Sequence, residues 1–250
     1  MPLSDQTFLR YSRQLLLEEC GLEGQIRLEK SSILIVGLGG LGSVVAQYLV
    51  GSGVGKVYLA DFDTVDISNL PRQILYSTKD INLAKVQAAK TRLAAINPQV
   101  ELVTITGQLG LTQLNYWAKK VNLVLDCTDN MLTRHHINQA CVGLNKPLIS
   151  GAAIGLSGQL ISLTDYHTQG CYACLYPDQE LAHLNCKTAG ILAPVVGTIG
   201  CLQALEALKY LLGLNVSSAG KLTLFDAKKL TWQTLYLQPN KQCQICHCHS

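Results

Sequence analysis

The segment from Gly37 to Gly42 contains the pattern G-x-G-x-x-G, formed by Gly37, Gly39, Gly40 and Gly42. An apolar run that predicts a strand precedes it, and a helical pattern over residues 41–50 follows. Glycines let the backbone turn tightly against a phosphate, and the positive end of a helix attracts the anion. We therefore predict a nucleotide site, with a ligand-free glycine turn as the alternative. The pattern alone does not choose between NAD and ATP.

Polar residues follow the next predicted strands. Asp61 ends the second strand, where an acidic side chain accepts a hydrogen bond from a ribose hydroxyl. The further candidates are Asp63, Asn69, Arg72, Gln73, Lys85, Asp129 and Asn130. Ligands of open α/β sheets bind beyond the carboxyl ends of the strands, where these residues are expected. Arginine and lysine offset phosphate charge and aspartate binds Mg²⁺, so the set favours chemistry on ATP over hydride transfer.

Each of these charged residues also has an ordinary structural interpretation. Arg72 and Lys85, taken singly, are typical of solvated surface charges. Asp129 has about even odds of capping a helix that starts near Asn130, since aspartate is a favoured N-cap residue. The prediction of a phosphate site therefore depends on the set and not on one member.

Two C-x-x-C pairs, Cys171/Cys174 and Cys243/Cys246, predict a tetrahedral Zn²⁺ site with four thiolate ligands. Disulfides are the alternative, disfavoured in a reducing compartment. A thioredoxin-like redox pair is less favoured, because neither pair is predicted to open a helix beside a first strand. Cys248 is an alternative ligand to Cys246, and the neighbouring histidines of the tail are spare ligands.

Strands that alternate with helices predict an α/β, Rossmann-like fold, with a mostly parallel sheet covered by helices on both faces. Antiparallel strands are predicted near the C-terminal end, within residues 221–237. We expect a single domain over residues 1–250. It comprises N-terminal helices (1–30), a nucleotide-binding half (31–150), and a zinc-binding half (151–250). Residues 4–20 are predicted to form one amphipathic helix.

Composition sets the broad class. The chain has 250 residues, of which 48% are hydrophobic, and its mean hydropathy is +0.20. This indicates a folded core, and the net charge of +3 gives no reason to expect a nucleic-acid partner. The apolar stretch 191–205 contains Pro194 and glycines, so we interpret it as a core helix and expect no membrane span. We see no signal peptide and expect a cytoplasmic protein, in which ten cysteines point to metal or thiol chemistry. Four of them, Cys20, Cys127, Cys141 and Cys201, lie in apolar or helical runs and are expected in the core.

Together these motifs resemble the ThiF/MoeB/HesA family, relatives of the ubiquitin-activating enzymes. The matching segments are residues 10–14, the glycine loop, 61–63, 68–70, 72–73, 126–130 and both C-x-x-C pairs. The resemblance implies that Asp61 binds ribose and Asp129 binds Mg²⁺. It also implies that Asn69, Arg72 and Lys85 contact phosphates. One departure is Pro71, where the family usually has glutamine.

The resemblance also implies roles that the residues alone do not. Arg13 is expected to reach the nucleotide of the other subunit in a homodimer. Cys186, beside Lys187, is expected to link to a carrier protein through sulfur, although a lone cysteine is more often structural.

The implied activity is ATP-dependent adenylation of the C-terminal carboxylate of a small β-grasp sulfur-carrier protein that ends in Gly-Gly. The carrier is expected to bind the second half of the chain, and a separate protein to donate sulfur. The segment 185–190 looks closer to the thiamin-pathway member, with the molybdopterin-pathway member as the alternative. A dehydrogenase or a non-catalytic scaffold are the rivals from other classes. The expected cofactors are ATP, Mg²⁺ and Zn²⁺.

Overall fold

The computed structural model describes residues 5–177 and 190–246. The helices are α1 (Asp5–Leu15), α2 (Gly21–Lys30), α3 (Gly40–Gly51), α4 (Lys85–Ile96), α5 (Leu111–Ala118), α6 (Met131–Gly143), α7 (Tyr166–Gln169), α8 (Tyr172–Leu175) and α9 (Ala193–Leu212). The strands are β1 (Ser32–Val36), β2 (Lys56–Asp61), β3 (Glu101–Thr106), β4 (Leu123–Asp126), β5 (Leu148–Ile154), β6 (Ser157–Leu163), β7 (Lys221–Asp226) and β8 (Thr231–Tyr236).

These strands form one sheet of eight, in the order β3-β2-β1-β4-β5-β6-β7-β8. The first five in that order run parallel, and β6, β7 and β8 are antiparallel to their neighbours. This confirms the predicted parallel sheet with antiparallel strands near the C-terminal end. The chain order reverses between β1 and β4, and such a reversal opens a crevice at the carboxyl ends of the strands.

Helices cover the sheet on both faces, as predicted. One face packs against α2, α3, α4 and α9, around the central strands. The other packs against α5, α6 and α8. The central strands are buried on both faces, which explains their continuous apolar sequences.

Helix α9 contains most of the apolar stretch 191–205, which was predicted to form a core helix. Within the described ranges it alone is long and apolar enough to cross a membrane by length and composition, and half of its most apolar window is buried. It begins with Pro194 in its first turn and ends at Gly213, whose left-handed φ of +78° stops the helix. Helix α9 contacts α3, β5 and β6, so its apolar face packs inside this fold.

Two predictions about elements were wrong. Residues 4–20 do not form one helix: α1 ends at Leu15, a turn follows, and α2 starts at Gly21, whose φ of +52° breaks the helical path. Helix α5 was not predicted; its start is fixed by Gln113, whose side chain accepts a hydrogen bond from the Gly110 N–H. Of the four cysteines expected in the core, three are buried and Cys201 is half-buried.

Candidate active site

The glycine loop joins β1 to α3 at the point where the strand order reverses. Gly37 has φ of +90°, and a Cβ there would lie 2.7 Å from the Cys127 carbonyl oxygen. A Cβ on Gly42 would lie 1.8 Å from the Gly37 carbonyl oxygen. Both positions therefore require glycine, and the tight turn leaves the N-terminus of α3 open to an anion.

A cavity of about 890 Å³ lies beyond the carboxyl ends of the parallel strands. Most of the predicted nucleotide-site residues line it: Gly37, Gly39, Gly40, Asp61, Asp63, Asn69, Arg72, Gln73, Lys85, Asp129 and Asn130. Gly42 is not in the lining, because it packs beneath the loop against Gly37. The fold thus brings together residues that are far apart in the sequence, at the place where α/β sheets bind nucleotides.

Asp61 fixes the glycine loop from the end of β2. Its Oδ2 accepts a hydrogen bond of 2.6 Å from the Leu38 N–H, and its Oδ1 accepts one of 2.8 Å from the Asp63 N–H. Burial raises the pKa of Asp61, and the nearby Lys85 together with these N–H groups offsets part of that rise. A carboxylate oxygen has more than one acceptor site, so Asp61 can also accept from a ribose hydroxyl.

Two cations of the predicted site, Lys85 and Arg72, line the cavity. The buried ammonium of Lys85 lies 2.9 Å from Asp63 Oδ2, and Asp63 is exposed at the cavity mouth. The half-buried Arg72 donates a hydrogen bond of 2.9 Å from Nη1 to the Ser68 carbonyl oxygen. Beside them, Gln73 Oε1 is buried and has no hydrogen-bond partner among the described residues. The two cations fit a phosphate-bearing ligand, and the unpaired Gln73 oxygen can accept a hydrogen bond from a donor group of that ligand.

Asn130, and not Asp129, caps the helix that follows β4. Asn130 Oδ1 accepts a hydrogen bond of 2.9 Å from the Thr133 N–H at the start of α6. This overturns the alternative in which Asp129 serves as the cap. The Asp129 carboxylate is exposed in the lining of the cavity, where an oxygen ligand suits Mg²⁺.

The four predicted cysteines come together beside α6, in the core cluster on that face of the sheet. Their Sγ atoms all lie within 4.8 Å of one another. The separations are 4.0 Å between Cys171 and Cys174, 3.6 Å between Cys171 and Cys243, and 3.4 Å between Cys174 and Cys246. A tetrahedron of Zn–S bonds near 2.3 Å places sulfurs about 3.8 Å apart, so the cluster fits zinc. The distances exclude disulfides between these sulfurs, which need about 2.05 Å.

The protein also supports these sulfurs by hydrogen bonds. Asn138 Nδ2 lies 3.5 Å from Cys171 Sγ, and the Asn240 N–H lies 3.4 Å from Cys174 Sγ. Cys171 is the N-cap of the single-turn helix α8, but α8 follows α7 and not the first strand, in agreement with the prediction. A redox pair has no support here, because all four sulfurs share one cluster.

The described cavity does not test the roles predicted for three further residues. Arg13 is exposed in the last turn of α1 and does not line the cavity of its own chain. Cys186 and Cys248 lie outside the described residues. Their predicted roles stay predictions.

Comparison with known proteins agrees with this site. A model of the ThiF family matches residues 11–246. The sulfur carrier protein ThiS adenylyltransferase of Escherichia coli K12 is 49% identical over 244 residues, which cover 98% of this chain and 97% of that protein. The molybdopterin-synthase adenylyltransferase of the same strain is 41% identical over 244 residues, covering 98% of each.

Among solved structures, E. coli MccB crystallised with ATP superposes with a TM-score of 0.81 at 24% identity. The match covers 95% of this chain and 73% of MccB, and it shows a shared fold. The sequence relatives go further than the fold, because the family match spans the glycine loop, the cavity and all four clustered cysteines. The chain belongs to the ThiF family, as its motifs predicted.

Proposed function

We propose that this protein is an ATP-dependent adenylyltransferase that activates the C-terminal glycine carboxylate of a ThiS-like sulfur carrier in thiamin biosynthesis. The observation that carries the proposal is one cavity lined by two chemically different sets of residues. One set is charged and contains Lys85, Arg72 and Asp129, and the other is apolar and contains Ala152, Ala153, Ile154, Leu192 and Val196. The charged residues suit a triphosphate, and the apolar residues suit an extended Gly-Gly tail.

In the proposed reaction, the carrier tail and ATP meet in this cavity. Asp61 holds the ribose, and Asn69 and Gln73 position the phosphates beside the glycine loop. The carrier carboxylate attacks the α-phosphorus, the bond to the β-phosphate oxygen breaks, and pyrophosphate leaves with the carrier acyl-adenylate as product. Arg72 and Lys85 stabilise the charge that develops on the phosphate oxygens. Asp129 would hold Mg²⁺, which would supply positive charge against the leaving pyrophosphate.

Arg13 is proposed to complete the site of the partner subunit in a homodimer. Its place outside the cavity of its own chain supports a role in the other subunit. Exposed apolar side chains on and beside α1, namely Phe8, Leu9, Leu16 and Leu17, are consistent with a covered face. We expect each active site of the dimer to contain one arginine from its partner.

Sulfur transfer follows adenylation in this proposal. A mixed anhydride is a good acyl donor, so the Cys186 thiolate is proposed to attack the carrier carbonyl carbon and displace AMP, which forms a thioester. Hydrosulfide supplied by a separate donor protein would then attack this thioester, release the Cys186 thiolate and leave the carrier thiocarboxylate. The enzyme is proposed to act in the cytoplasm, where thiols such as the four clustered cysteines stay reduced.

The molybdopterin-synthase small subunit is the alternative carrier, favoured by the 41% identity to its adenylyltransferase. An NAD-dependent dehydrogenase has less support, because it gives no role to Lys85, Arg72 or the cysteine cluster.

Mass spectrometry of the carrier tests the proposal. We expect incubation of the purified protein with ATP, Mg²⁺ and a ThiS-like carrier to add one adenylate to the carrier. Hydroxylamine should remove the adenylate, because an acyl-adenylate is a reactive anhydride. A carrier truncated by its last glycine is the matched control and should stay unmodified. Unmodified full-length carrier, with protein that binds ATP, would contradict the proposal.

A further inference from the structure

Arg134 is a charged residue that is not among the predicted site residues. It lies in the first turns of α6, four residues after the cap residue Asn130, and is only 5% exposed. A buried guanidinium is costly unless hydrogen bonds and a counter-charge compensate it. The groups that compensate the buried charge of Arg134 therefore indicate its role.

The guanidinium joins the ends of β4 and β5 to the loop between β4 and α6. Nη2 donates to the Thr128 carbonyl oxygen and, over 3.0 Å, to the Gly151 carbonyl oxygen. Nη1 donates over 3.3 Å to Ser150 Oγ and lies 3.6 Å from Asp126 Oδ2. Although Arg134 borders the cavity, these four contacts direct it to oxygens of the protein.

Asp126 closes the network from the opposite side. Its Oδ1 accepts hydrogen bonds from the Thr128 N–H at 3.0 Å and the Thr128 hydroxyl at 2.7 Å. Its Oδ2 accepts a hydrogen bond of 2.6 Å from Ser150. Asp126 lies at the end of β4 and is 1% exposed, so its carboxylate faces this network and not a ligand.

Thr128 is therefore held at its N–H, hydroxyl and carbonyl groups, and the next residue is Asp129. With Asn130 fixed as the helix cap, both neighbours of Asp129 are anchored while its own side chain faces the cavity. Such an arrangement fixes the direction of one exposed carboxylate through the backbone on either side of it. Outer residues that orient a metal ligand commonly change metal affinity 10- to 100-fold when lost.

We infer that Arg134 is a positioning residue that orients Asp129 for the metal ion of the nucleotide complex. This inference rests on the proposed function, because it assigns Asp129 a metal bound together with ATP. Arginine is required in this role, since Nη2 donates to the Thr128 and Gly151 carbonyl oxygens while Nη1 reaches Ser150 and Asp126 on the other side of the fork. A lysine ammonium is a single point of charge and cannot occupy both nitrogen positions.

The test uses Mn²⁺ in place of Mg²⁺, with binding followed by electron paramagnetic resonance in the presence of ATP. We expect Arg134→Lys to raise the Mn²⁺ concentration for half-saturation roughly tenfold. ATP affinity without metal should change by less than about twofold, because Arg134 does not hold the phosphates. Arg134→Met is expected to show the same change, and Arg134→Lys, which keeps the buried charge, covers the case in which Arg134→Met does not fold.

Arg92→Lys is the matched control. Arg92 also bridges a hydroxyl and a carboxylate, those of Ser77 and Asp80, but does not line the cavity. It should leave Mn²⁺ half-saturation unchanged. Added metal should restore pyrophosphate exchange in Arg134→Lys and not in Asp129→Ala.

Wild-type half-saturation in a folded Arg134→Lys protein would overturn the inference, and so would a wild-type protein that binds no Mn²⁺ with ATP. Because this titration needs no carrier, it is separate from the proposed carrier activity. A protein with the expected metal shift but no carrier-dependent exchange would keep the positioning role and overturn the proposed function.

Discussion

Lys85 and Asp63 form an ion pair that is buried at one end and open at the other. The distance from Nζ to Oδ2 is 2.9 Å, and the exposed side-chain fractions are 5% for Lys85 and 51% for Asp63. The backbone adds to this pairing, since the Lys85 N–H donates over 2.9 Å to the Asp63 carbonyl oxygen. Without nucleotide, Asp63 therefore supplies the counter-charge of a lysine that is proposed to bind phosphate.

Replacing Asp63 should make stability more dependent on ATP. In Asp63→Asn the buried Lys85 ammonium loses its direct ion pair and keeps only nearby charges such as Asp61, and we expect a loss of about 2 kcal/mol in the free energy of unfolding. ATP with Mg²⁺ should restore part of that loss, because its phosphates replace the missing charge. Urea unfolding with and without ATP measures both quantities.

Glu101→Gln is the matched control for this change. It breaks the Lys56–Glu101 pair, whose side chains are 34% and 61% exposed, and an exposed pair contributes only about 0.2–1 kcal/mol. If ATP stabilised Asp63→Asn and the wild-type protein equally, Asp63 would not be the stand-in for phosphate at Lys85.

The proposed sharing of active sites predicts complementation between two inactive variants. Arg13→Ala and Lys85→Ala should each reduce exchange by about 10²-fold or more, since each removes one stabilising cation. In a mixed dimer, one site then carries both defects and the other carries none. Mixing the two proteins under conditions that exchange subunits should therefore restore activity.

Mixing each variant with itself is the control for subunit exchange. If Arg13 served its own chain, every site of the mixed dimer would keep one defect and no activity would return. The exchange rate of the mixture, compared with wild-type protein at the same site concentration, separates the two arrangements.

The cysteine cluster should bind one zinc ion per chain and stabilise the fold. We expect Cys171→Ser and Cys243→Ser to lose zinc and unfold at a lower temperature, because metal-binding free energy contributes to folding. Cys201→Ser removes a half-buried cysteine outside the cluster and should keep the metal. Elemental analysis and thermal unfolding measure the two effects; full zinc in Cys171→Ser would assign the ion to other ligands.

Glu206 should make stability depend on pH. Burial raises its pKa, but hydrogen bonds from Lys209 and Ser218 outweigh burial and hold the pKa below its ordinary value. A lowered folded-state pKa stabilises the protein above the unfolded value of about 4.3, and this contribution is lost as the pH falls. Glu206→Gln should therefore cost about 2 kcal/mol at neutral pH and progressively less below about pH 4.

Urea unfolding at neutral pH and below about pH 4 measures whether the cost of Glu206→Gln falls as the pH falls. Glu101→Gln, at an exposed carboxylate, should change stability by less than about 0.5 kcal/mol at either pH. An equal loss for Glu206→Gln at neutral and acidic pH would show that shape, and not ionisation, explains the effect.

The features that could be predicted from sequence are those with local causes. The turn at Gly37 needs positive φ and a close approach, and the regular spacing of its glycines reveals this. The C-x-x-C spacing likewise identified Cys171 and Cys174 as co-ligands. Strand ends placed Asp61 and Asp129 at one edge of the sheet because parallel strands end together.

The features that were missed depend on partners distant in the chain. Arg134 looks like one of several polar residues in α6 until β5 places Ser150 and Gly151 beside it. Its signal was a charge on a helix that the fold must bury. The end of α1 at Leu15 and the turn after it were missed because tertiary packing of α2 against α9 decides the direction of the chain there.

Carrier-dependent exchange of labelled pyrophosphate into ATP is the most direct test of the proposed adenylation of the carrier. The ThiS-like carrier and the molybdopterin-synthase small subunit are assayed separately, with Asp129→Ala as the inactive variant and Glu101→Gln as its control. The account predicts exchange with the ThiS-like carrier, normal in Glu101→Gln and at least about 10²-fold lower in Asp129→Ala. Exchange with the other carrier alone would move the enzyme to that pathway. No exchange with either carrier, in protein that binds ATP, would contradict carrier activation.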